Sequence, residues 1–383
     1  MPHLDSARPL EGLRVADFSR VLAGPLCTMQ LADFGAEVIK IESPSGDDTR
    51  SWVPPVDADG TGTYFSSVNR NKKSVVANLK TPEGLSYARD LIAECDVVVE
   101  NFRPGIMAKF GLDYETLAQA RPDIVYCSIS GFGSGSGADM PGYDLLVQAL
   151  GGLMSITGDA DSEPSKVGVA LVDVLTGQNA LAGILLALRA RDATGVGQEV
   201  QVNLLSSVVA ALVNQGTATL ATGQSPRRLG NAHPSISPYE TFRTAEGTLA
   251  LAVGTDRQFA DLLRVLERED LLDEPRFASN ELRVASRSDL RTMIEATLVN
   301  DTAQRWQEKL LAKGVPAGKV NSVSEALELA DALGLTPHTT ITDPATGRQS
   351  QQLANPIRLS NAAPQYRDVP PALGEHQGAT FVH

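Results

Sequence analysis

Residues 12–42, GLRVADFSRVLAGPLCTMQLADFGAEVIKIE, contain the pattern that decides the fold. Two short apolar runs, Leu13 to Phe18 and Glu37 to Ile41, have the length and residue types of buried strands. Between them, Pro25 to Phe34 can form a helix with proline near its first turn. A strand, a helix and a second strand in this order predict a parallel sheet covered by helices.

The alternation of strands and helices continues along the chain. Asp96 to Glu100 and Ile124 to Ile129 are predicted to be buried strands. Val172 to Arg191 and Leu204 to Ala221 are long, helical in pattern and apolar nearly all round, and they flank the strand-like run Gln198 to Val202. Helices without a polar face are buried. The predicted fold class is therefore α/β, with a mostly parallel sheet covered on both faces.

A polar segment, Thr222 to Pro238, marks the predicted end of a large domain, because it is rich in Gly, Pro, Ser, Asn and Arg. Tyr239 to Phe242 and Thr248 to Val253 follow as a predicted hairpin, and helical patterns come after it. A chain of 383 residues is also too long for one ordinary core. The predicted organisation is a large domain over residues 1–224, a small α+β domain over 225–325, and a returning segment over 326–383 that completes the large domain.

The charge balance limits the partners. The chain has 33 lysines and arginines against 46 aspartates and glutamates, a formal net charge of −13. An anionic surface repels nucleic acid and anionic lipid, so we expect neither as a partner. A phosphate-bearing ligand is still compatible with this charge, because local basic residues such as Arg70, Lys72 and Lys73 can bind phosphate within an acidic protein.

Metal chemistry finds little support in the sequence. Cys27, Cys95 and Cys127 lack metal-ligand spacing, and the five histidines lie far apart without an H-x-x-x-H pattern, so no metal site is predicted. The first ten residues lack the basic region and apolar run of a signal peptide. No uninterrupted apolar run of about 18 residues occurs either. We expect a cytoplasmic protein without a membrane span.

A glycine-rich stretch after a predicted strand raises the question of dinucleotide binding. Gly133 to Ala138, GSGSGA, has the spacing G-x-G-x-x-A. Pro141 and Gly142 follow at once, so no helix N-terminus is offered to a pyrophosphate. A flexible loop is the better interpretation. No stretch fits G-x-S-x-G, and a serine-hydrolase turn is not predicted.

Asp173 is a carboxylate in an unusual place. It opens a long apolar helix after the loop Pro164 to Ala170, with Thr176 and Gly177 close behind. From the residues alone, the more frequent explanation is a helix-start acid that is stabilised by the helix dipole.

Several stretches together resemble the class III CoA-transferases. The similarity is long and specific at the start of the chain and extends to the tail. It therefore covers essentially the whole sequence. The matching stretches are residues 12–25, 31–42, 69–74 (NRNKKS), 100–105 (ENFRPG), 142–144 (GYD) and 373–376 (LGEH).

The resemblance implies a fold, an assembly and a reaction. It implies a Rossmann-like large domain built from both chain ends, a small domain, and a homodimer of interlocked chains. It also implies an enzyme that moves coenzyme A from an acyl-CoA to a free carboxylic acid, with CoA thioesters as substrates and no tightly bound cofactor. Asp173 aligns with the family's nucleophile, which forms an aspartyl anhydride and then an aspartyl-CoA thioester.

The resemblance also implies the residues of the site. Lys and Arg suit phosphate by charge, and Phe suits adenine or pantetheine by stacking and burial. Candidate CoA contacts are Arg20 and Val21 near the adenine, Arg70, Lys72 and Lys73 near the phosphates, and Asn101, Phe102, Lys109 and Phe110 along the nucleotide; candidate substrate contacts are Leu22, Tyr143, Gly230, Asn231 and His233.

Two alternatives to CoA transfer stay open. An α-methylacyl-CoA racemase is a relative with proton-transfer chemistry, but its signature His falls where this chain has Tyr143, and a phenol with a pKa of about 10 is a poor base near neutral pH. A noncatalytic CoA-binding protein is the other alternative, and the presence of Asp173 argues against it. The sequence does not identify the acids exchanged. Dicarboxylates such as succinate, mesaconate or itaconate would suit Arg227, Arg228 and His233.

Overall fold

The computed structural model describes residues 8–57 and 60–382. These residues divide into two compact units. The first unit holds the described residues up to 153 together with 166–223 and 333–382, and the second holds 154–165 and 224–332. The domain ranges given above stay predictions, and the two units differ from them at residues 154–165, 224 and 326–332. The segment 154–165 belongs with the second unit because the Gly230 N–H donates to the Gly158 carbonyl at 3.0 Å and the Arg228 guanidinium donates to the Ser162 carbonyl at 2.6 Å.

A six-stranded parallel sheet forms the centre of the first unit, with strand order β3-β2-β1-β4-β5-β6. The α/β prediction is thereby confirmed, although the strand β3 was not predicted. The order reverses between β1 and β4, and ligands of open parallel sheets bind in the crevice at such a point, beyond the carboxyl ends of the strands. The strands are β1 Arg14–Asp17, β2 Glu37–Glu42, β3 Lys72–Val76, β4 Val97–Glu100, β5 Val125–Ser130 and β6 Glu199–Asn203.

Helices cover this sheet, and two of them approach each other very closely. A Cβ at Gly177 would lie 2.7 Å from the carbonyl oxygen of Ala23, so the helices that carry these residues pack almost backbone to backbone. The helices of the unit are α1 Ala23–Asp33, α2 Thr63–Ser66, α3 Pro82–Glu94, α4 Ile106–Lys109, α5 Tyr114–Ala120, α6 Asp144–Leu150, α7 Leu171–Thr194, α8 Leu204–Ala211 and α9 Val213–Thr222.

Helix α7 is the longest of these helices. Eight of its residues are buried, among them Val172, Ala180 and Ile184 in the core beside β1 and β5. By length and composition alone α7 would be able to cross a membrane, and core helices of globular proteins pass the same test. The single helix predicted over Leu204 to Ala221 is wrong, because the chain bends by 81° between α8 and α9, at Leu212 and Val213.

The chain end returns to the sheet at β3. The Ser74 N–H donates to Nδ1 of His376 at 3.2 Å, and the His376 N–H donates to the Ser74 carbonyl at 2.9 Å. Asn71 donates from Nδ2 to the Gln365 carbonyl at 2.7 Å. The tail is also less irregular than its composition indicates, because β10 (His338–Thr342) and β11 (Gln349–Leu353) pair as an antiparallel hairpin.

The second unit has its own sheet and core. Its strands β7 (Tyr239–Arg243), β8 (Thr248–Ala252) and β9 (Ala317–Lys319) are antiparallel in the order β7-β8-β9, which confirms the predicted hairpin. Apolar side chains such as Phe242 and Trp306 fill the space between the sheet and the helices. The helices are α10 Asp256–Val265, α11 Asn280–Ala285, α12 Arg287–Leu298, α13 Ala303–Leu311 and α14 Val323–Ala332.

Candidate active site

A cavity lies in the first unit where the strand order reverses, beyond the carboxyl ends of β1, β4 and β5. Several residues singled out in the sequence meet there, although they are far apart along the chain. Arg103, Phe132, Met140 and Pro141 also line the cavity and were not predicted. The predicted site residues that line it are Arg20, Val21, Leu22, Asn101, Phe102, Tyr143 and Asp173.

A strained turn after β1 forms one wall of the cavity. Val21 has a φ of 70°, a conformation that β-branched residues rarely adopt. Its N–H donates to both carboxylate oxygens of Asp47, at 3.2 and 3.3 Å. Asp47 is itself held by the buried ammonium of Lys40 at 2.9 Å, and Lys40 also donates to the Ser19 carbonyl. The buried ion pair therefore stabilises the turn in a shape that its sequence alone disfavours.

Arg20 joins the turn after β1 to the turn after β4. Its N–H donates to Oδ1 of Asn101 at 2.8 Å, and Nδ2 of Asn101 donates to the Arg20 carbonyl at 2.7 Å. The guanidinium carbon lies 5.4 Å from the centroid of the Phe102 ring, and Nη1 lies 3.4 Å from Asp48. A partly exposed guanidinium beside an aromatic face can take part in recognition of a planar or anionic ligand.

Glu100 fixes the turn that carries Phe102. The Phe102 N–H donates to Oε2 of Glu100 at 2.8 Å, and the Ser128 hydroxyl donates to Oε1 at 2.6 Å. Burial raises the pKa of Glu100 to about 7. Glu100 therefore acts on the cavity indirectly, by holding the backbone at the end of β4.

Asp173 lies on the first turn of α7, with its carboxylate in the cavity. Burial raises its pKa to about 7, and the negative charge of Asp144 adds to this effect. Oδ1 of Asp144 accepts hydrogen bonds from the Val172 N–H at 2.8 Å and the Asp173 N–H at 3.3 Å. The charged form of Asp173 is thus disfavoured in a site from which much of the water is removed.

Tyr64 lies near these two carboxylates and was not predicted from the sequence. Burial raises its pKa to about 12, and the charges of Asp173, Asp144 and Asp47 contribute. Its ring packs edge-to-face on Trp52, with centroids 5.1 Å apart. The phenol is therefore neutral and remains a hydrogen-bond donor at ordinary pH. No motif or spacing in the sequence points to it.

The glycine-rich loop closes on itself beside the cavity. A Cβ at Gly131 would lie 2.5 Å from the Cα of Gly142, so the loop enters and leaves through a crossing that only glycines allow. No helix forms until Asp144, in agreement with the interpretation that this loop does not bind a dinucleotide. Within the loop, Phe132 and Met140 form part of the cavity wall.

Two of the predicted phosphate contacts are paired with carboxylates inside the fold. Arg70 and Lys72 are almost fully buried, and neither lines the cavity. Arg70 donates to both carboxylate oxygens of Asp33, at 2.9 and 2.7 Å, and Lys72 donates to Asp17 at 3.1 Å. Because NRNKKS runs into β3, Arg70 and Lys72 support the sheet and the returning tail, and their contact with CoA phosphates stays a prediction.

Three further predicted CoA contacts lie outside the cavity. Lys73 pairs with Glu37 at 2.6 Å on the neighbouring strand. Lys109 is exposed at the end of α4, and Phe110 packs against the core beneath β4 and β5. Their role in CoA binding stays a prediction.

The predicted substrate contacts Gly230, Asn231 and His233 belong to the second unit. Nδ2 of Asn231 donates to the Thr241 hydroxyl at 2.9 Å, and the His233 ring lies 5.2 Å from that of Tyr239. Their role in substrate binding stays a prediction. Across residues 8–57 and 60–382, no cluster of three or more His, Cys, Asp or Glu side chains is arranged to hold a metal ion.

Comparison with known proteins identifies the family. The model of CoA-transferase family III matches residues 10–377. The chain is 43% identical to succinate–glutarate CoA-transferase of Agrobacterium fabrum, covering 98% of this chain and 95% of that protein. It is 40% identical to succinyl-CoA:glutarate CoA-transferase of Mus musculus, covering 97% and 85%. A crystal structure of a CaiB/BaiF family protein from Brucella suis superposes with a TM-score of 0.86 at 41% identity, covering 96% and 97% of the two chains. The chain therefore belongs to CoA-transferase family III.

Proposed function

We propose that this CoA-transferase moves coenzyme A from an acyl-CoA to a free carboxylic acid through Asp173. One observation carries the proposal: the Asp173 carboxylate lines the cavity at the switch point of the sheet, and burial and a second carboxylate disfavour its charge. Perturbed ionisable groups in a cleft are candidates for catalysis. A carboxylate that is poorly solvated is also more basic, and a more basic carboxylate is a better nucleophile.

The reaction can be written as four exchanges without water. An oxygen of Asp173 attacks the thioester carbonyl, the C–S bond breaks, and a mixed anhydride and CoA thiolate form. The thiolate attacks the aspartyl carbonyl, which releases the donor acid as a carboxylate and leaves an aspartyl-CoA thioester. The acceptor carboxylate attacks this thioester and expels the thiolate. The thiolate then attacks the acceptor carbonyl and regenerates the Asp173 carboxylate.

Each attack places negative charge on a carbonyl oxygen. The start of α1 is suited to stabilise it, because Leu22 and Ala23 line the cavity and no side chain caps this helix end. Backbone N–H groups and the positive end of a helix dipole stabilise developing oxyanions. Water must be excluded as well, since it would hydrolyse the anhydride.

We further propose that the exchanged acids are dicarboxylic acids. The relatives from Agrobacterium fabrum and Mus musculus are named for succinate and glutarate. A relative from Haloarcula hispanica, 38% identical, is named a succinyl-CoA:mesaconate CoA-transferase. In the cavity of this chain, the guanidinium groups of Arg20 and Arg103 are cations that suit either a second carboxylate or the phosphates of CoA.

Intact-protein mass spectrometry tests the chemistry. Wild type and Asp173→Asn are incubated with succinyl-CoA and each of glutarate, mesaconate and acetate, and both new CoA esters and covalent adducts are recorded. The expected result is exchange with the dicarboxylates and a CoA-sized adduct on wild type alone. A CoA adduct on the Asp173→Asn variant contradicts the assignment of the nucleophile. Deuterium entering a 2-methylacyl-CoA from solvent, without exchange of CoA, favours the racemase.

We also propose that the chain works as a cytoplasmic, interlocked homodimer. Large apolar side chains on its long helices are strongly exposed in a single chain: Leu186 is 71% exposed, Val213 69% and Leu220 89%. Apolar side chains of this size, when they share one surface, favour a protein interface. Light scattering of the purified protein, with reversible dilution, measures the mass; a monomer that retains full exchange activity contradicts this part of the proposal.

A further inference from the structure

The carboxylate of Asp144 caps a helix to which it does not belong. Asp144 is the first residue of α6, but its Oδ1 accepts the N–H groups of Val172 and Asp173 at the start of α7, at 2.8 and 3.3 Å. The residue at the cap position of α7 itself is Ala170, which has no side-chain acceptor. The backbone of the proposed nucleophile is therefore held by another aspartate.

Gln148 fixes the orientation of this cap. Its Nε2 donates to Oδ2 of Asp144 at 2.6 Å, one turn along α6, and its side chain is fully buried. Its Oε1 accepts the Val167 N–H at 2.9 Å, in the segment that leads into α7. Both oxygens of Asp144 are engaged, and the approach to Asp173 is tied to α6 at two points.

We propose that Asp144 is a positioning residue for the transfer reaction: its carboxylate fixes the first turn of α7 and, as a negative charge beside Asp173, makes the Asp173 carboxylate a stronger nucleophile. This inference rests on the proposed function of Asp173. A neutral acceptor in place of Asp144 would hold the same two N–H groups, and an aspartate would be needed only if its charge matters. The two roles can therefore be separated.

The ionisable groups around Asp173 determine how the charge of Asp144 affects its pKa. Asp144 faces it from α6, and its charge raises the pKa of Asp173, in addition to the larger effect of burial. Tyr64 from α2 is also near and is neutral at ordinary pH. Arg20, Asp48 and Arg103 line the same cavity and are unchanged by a substitution at residue 144. Removal of the Asp144 charge should therefore lower the pKa of Asp173 and make its carboxylate less basic.

The pH dependence of kcat/KM for succinyl-CoA separates the two roles. Asp144→Asn keeps an acceptor oxygen for the two N–H groups but loses the charge and the hydrogen bond from Gln148. The acid limb of its pH profile should move to lower pH, and its plateau rate should fall roughly threefold as the nucleophile becomes less basic. Asp144→Ala also loses the acceptor and should fall further, with a lower melting temperature. Asp192→Asn is the matched control, because it removes the same charge from an exposed position of α7 about 28 Å away.

The outcomes distinguish this inference from the proposed function. An Asp144→Asn variant with the acid limb and plateau of wild type contradicts the inference, provided that wild type forms the adduct on Asp173. Absence of any adduct on Asp173 in wild type contradicts the proposed function itself. If Asp144→Asn fails to fold, Asp144→Ser offers a shorter neutral acceptor, and the pH dependence of its kcat/KM is measured in the same way. An acid limb at the wild-type pH in that variant also overturns the inference.

Discussion

Asp17 and Asp173 are two aspartates of the same unit, both removed from water, with opposite electrostatic surroundings. Asp17 is fully buried at the end of β1, where it accepts hydrogen bonds from Ser19, Thr28 and Lys72. Burial alone would raise its pKa, but the charges of Lys72 and Lys40 bring it below the usual value. Asp173 has no such cation among the groups that shift its pKa, and that pKa rises to about 7.

The difference separates a carboxylate that supports the fold from one that is available for chemistry. Around Asp17 the partners saturate the oxygens, and removing a partner leaves a buried charge without compensation. At Asp173 the surroundings stabilise the negative charge poorly. When the carboxylate attacks a substrate carbonyl, this charge moves onto the substrate. Substitutions should therefore affect stability at the first aspartate and activity at the second.

The largest effect is expected at the nucleophile. Asp173→Asn should reduce CoA exchange by at least ~10⁴-fold, because a neutral amide cannot form the anhydride. The free energy of unfolding should stay equal or rise, since a poorly solvated charge is removed. Exchange assays and urea denaturation measure the two quantities. If the variant loses stability as well as activity, Asp173 also supports the fold, and the distinction from Asp17 fails.

A second large effect is expected on the other side of the comparison. Lys72→Met leaves Asp17 buried without its nearest cation and should lower the free energy of unfolding by about 3–5 kcal/mol. The matched control is Lys73→Met on the same strand, whose pair with Glu37 is partly exposed, so a change of only about 0–1 kcal/mol is expected. Urea denaturation checks both. If both variants lose the same free energy of unfolding, burial of the ion pair does not determine how much it contributes to stability.

The two aspartates also predict opposite dependences of stability on pH. The pKa of Asp17 is lowered by folding, so its contribution is present above its ordinary pKa of 3.8 and is lost as the pH falls through the folded value. The pKa of Asp173 is raised from 3.8 to about 7, so its contribution is present below 3.8 and is lost as the pH rises to about 7.

Comparison of Asp173→Asn with wild type isolates the second dependence. The amide does not titrate, so the stability of the variant relative to wild type should increase from about pH 4 to about pH 7 and then level off. Denaturation with urea at several pH values gives the difference, and Asp192→Asn controls for loss of a surface charge on α7. A difference that is constant with pH would contradict the raised pKa of Asp173.

The sequence was informative where a local pattern determines the structure. The β-branched runs predicted β1, β2, β4 and β5, and the apolar Val172 to Arg191 predicted α7, because periodicity and burial act within one element. The strand β3 was missed because its lysines resemble a solvated or phosphate-binding cluster. Only the packed sheet shows that Lys72 faces Asp17, 55 residues away in sequence.

The site was predictable only in part for the same reason. Asp173 by itself resembles an ordinary helix-start acid, and its assignment came from family resemblance. Asp144 was visible within GYD, but its contact with the start of α7 joins segments that are 28 residues apart. Tyr64 lies in a segment without any motif. Contacts between distant segments depend on packing, which no local pattern encodes.

The smallest expected effect concerns Asp47, a second compensated carboxylate, which unlike Asp17 lies next to the cavity. Its carboxylate is paired with the buried Lys40, and both oxygens also accept the Val21 N–H, in a turn where Val21 has a φ of 70°. Val21→Gly keeps this N–H and relieves the strain, so the free energy of unfolding should rise by up to about 1 kcal/mol.

The same substitution should weaken the cavity wall. The loss of the Val21 side chain and the greater freedom of glycine should raise KM for the acyl-CoA about two- to fivefold with kcat nearly unchanged, because the wall contacts the substrate equally before and during transfer. Steady-state kinetics together with denaturation measure both. A fall in kcat of the size expected for Asp144→Asn would place the turn in the chemistry of Asp173. Lower stability would instead mean that the side chain of Val21 contributes more than its backbone strain costs.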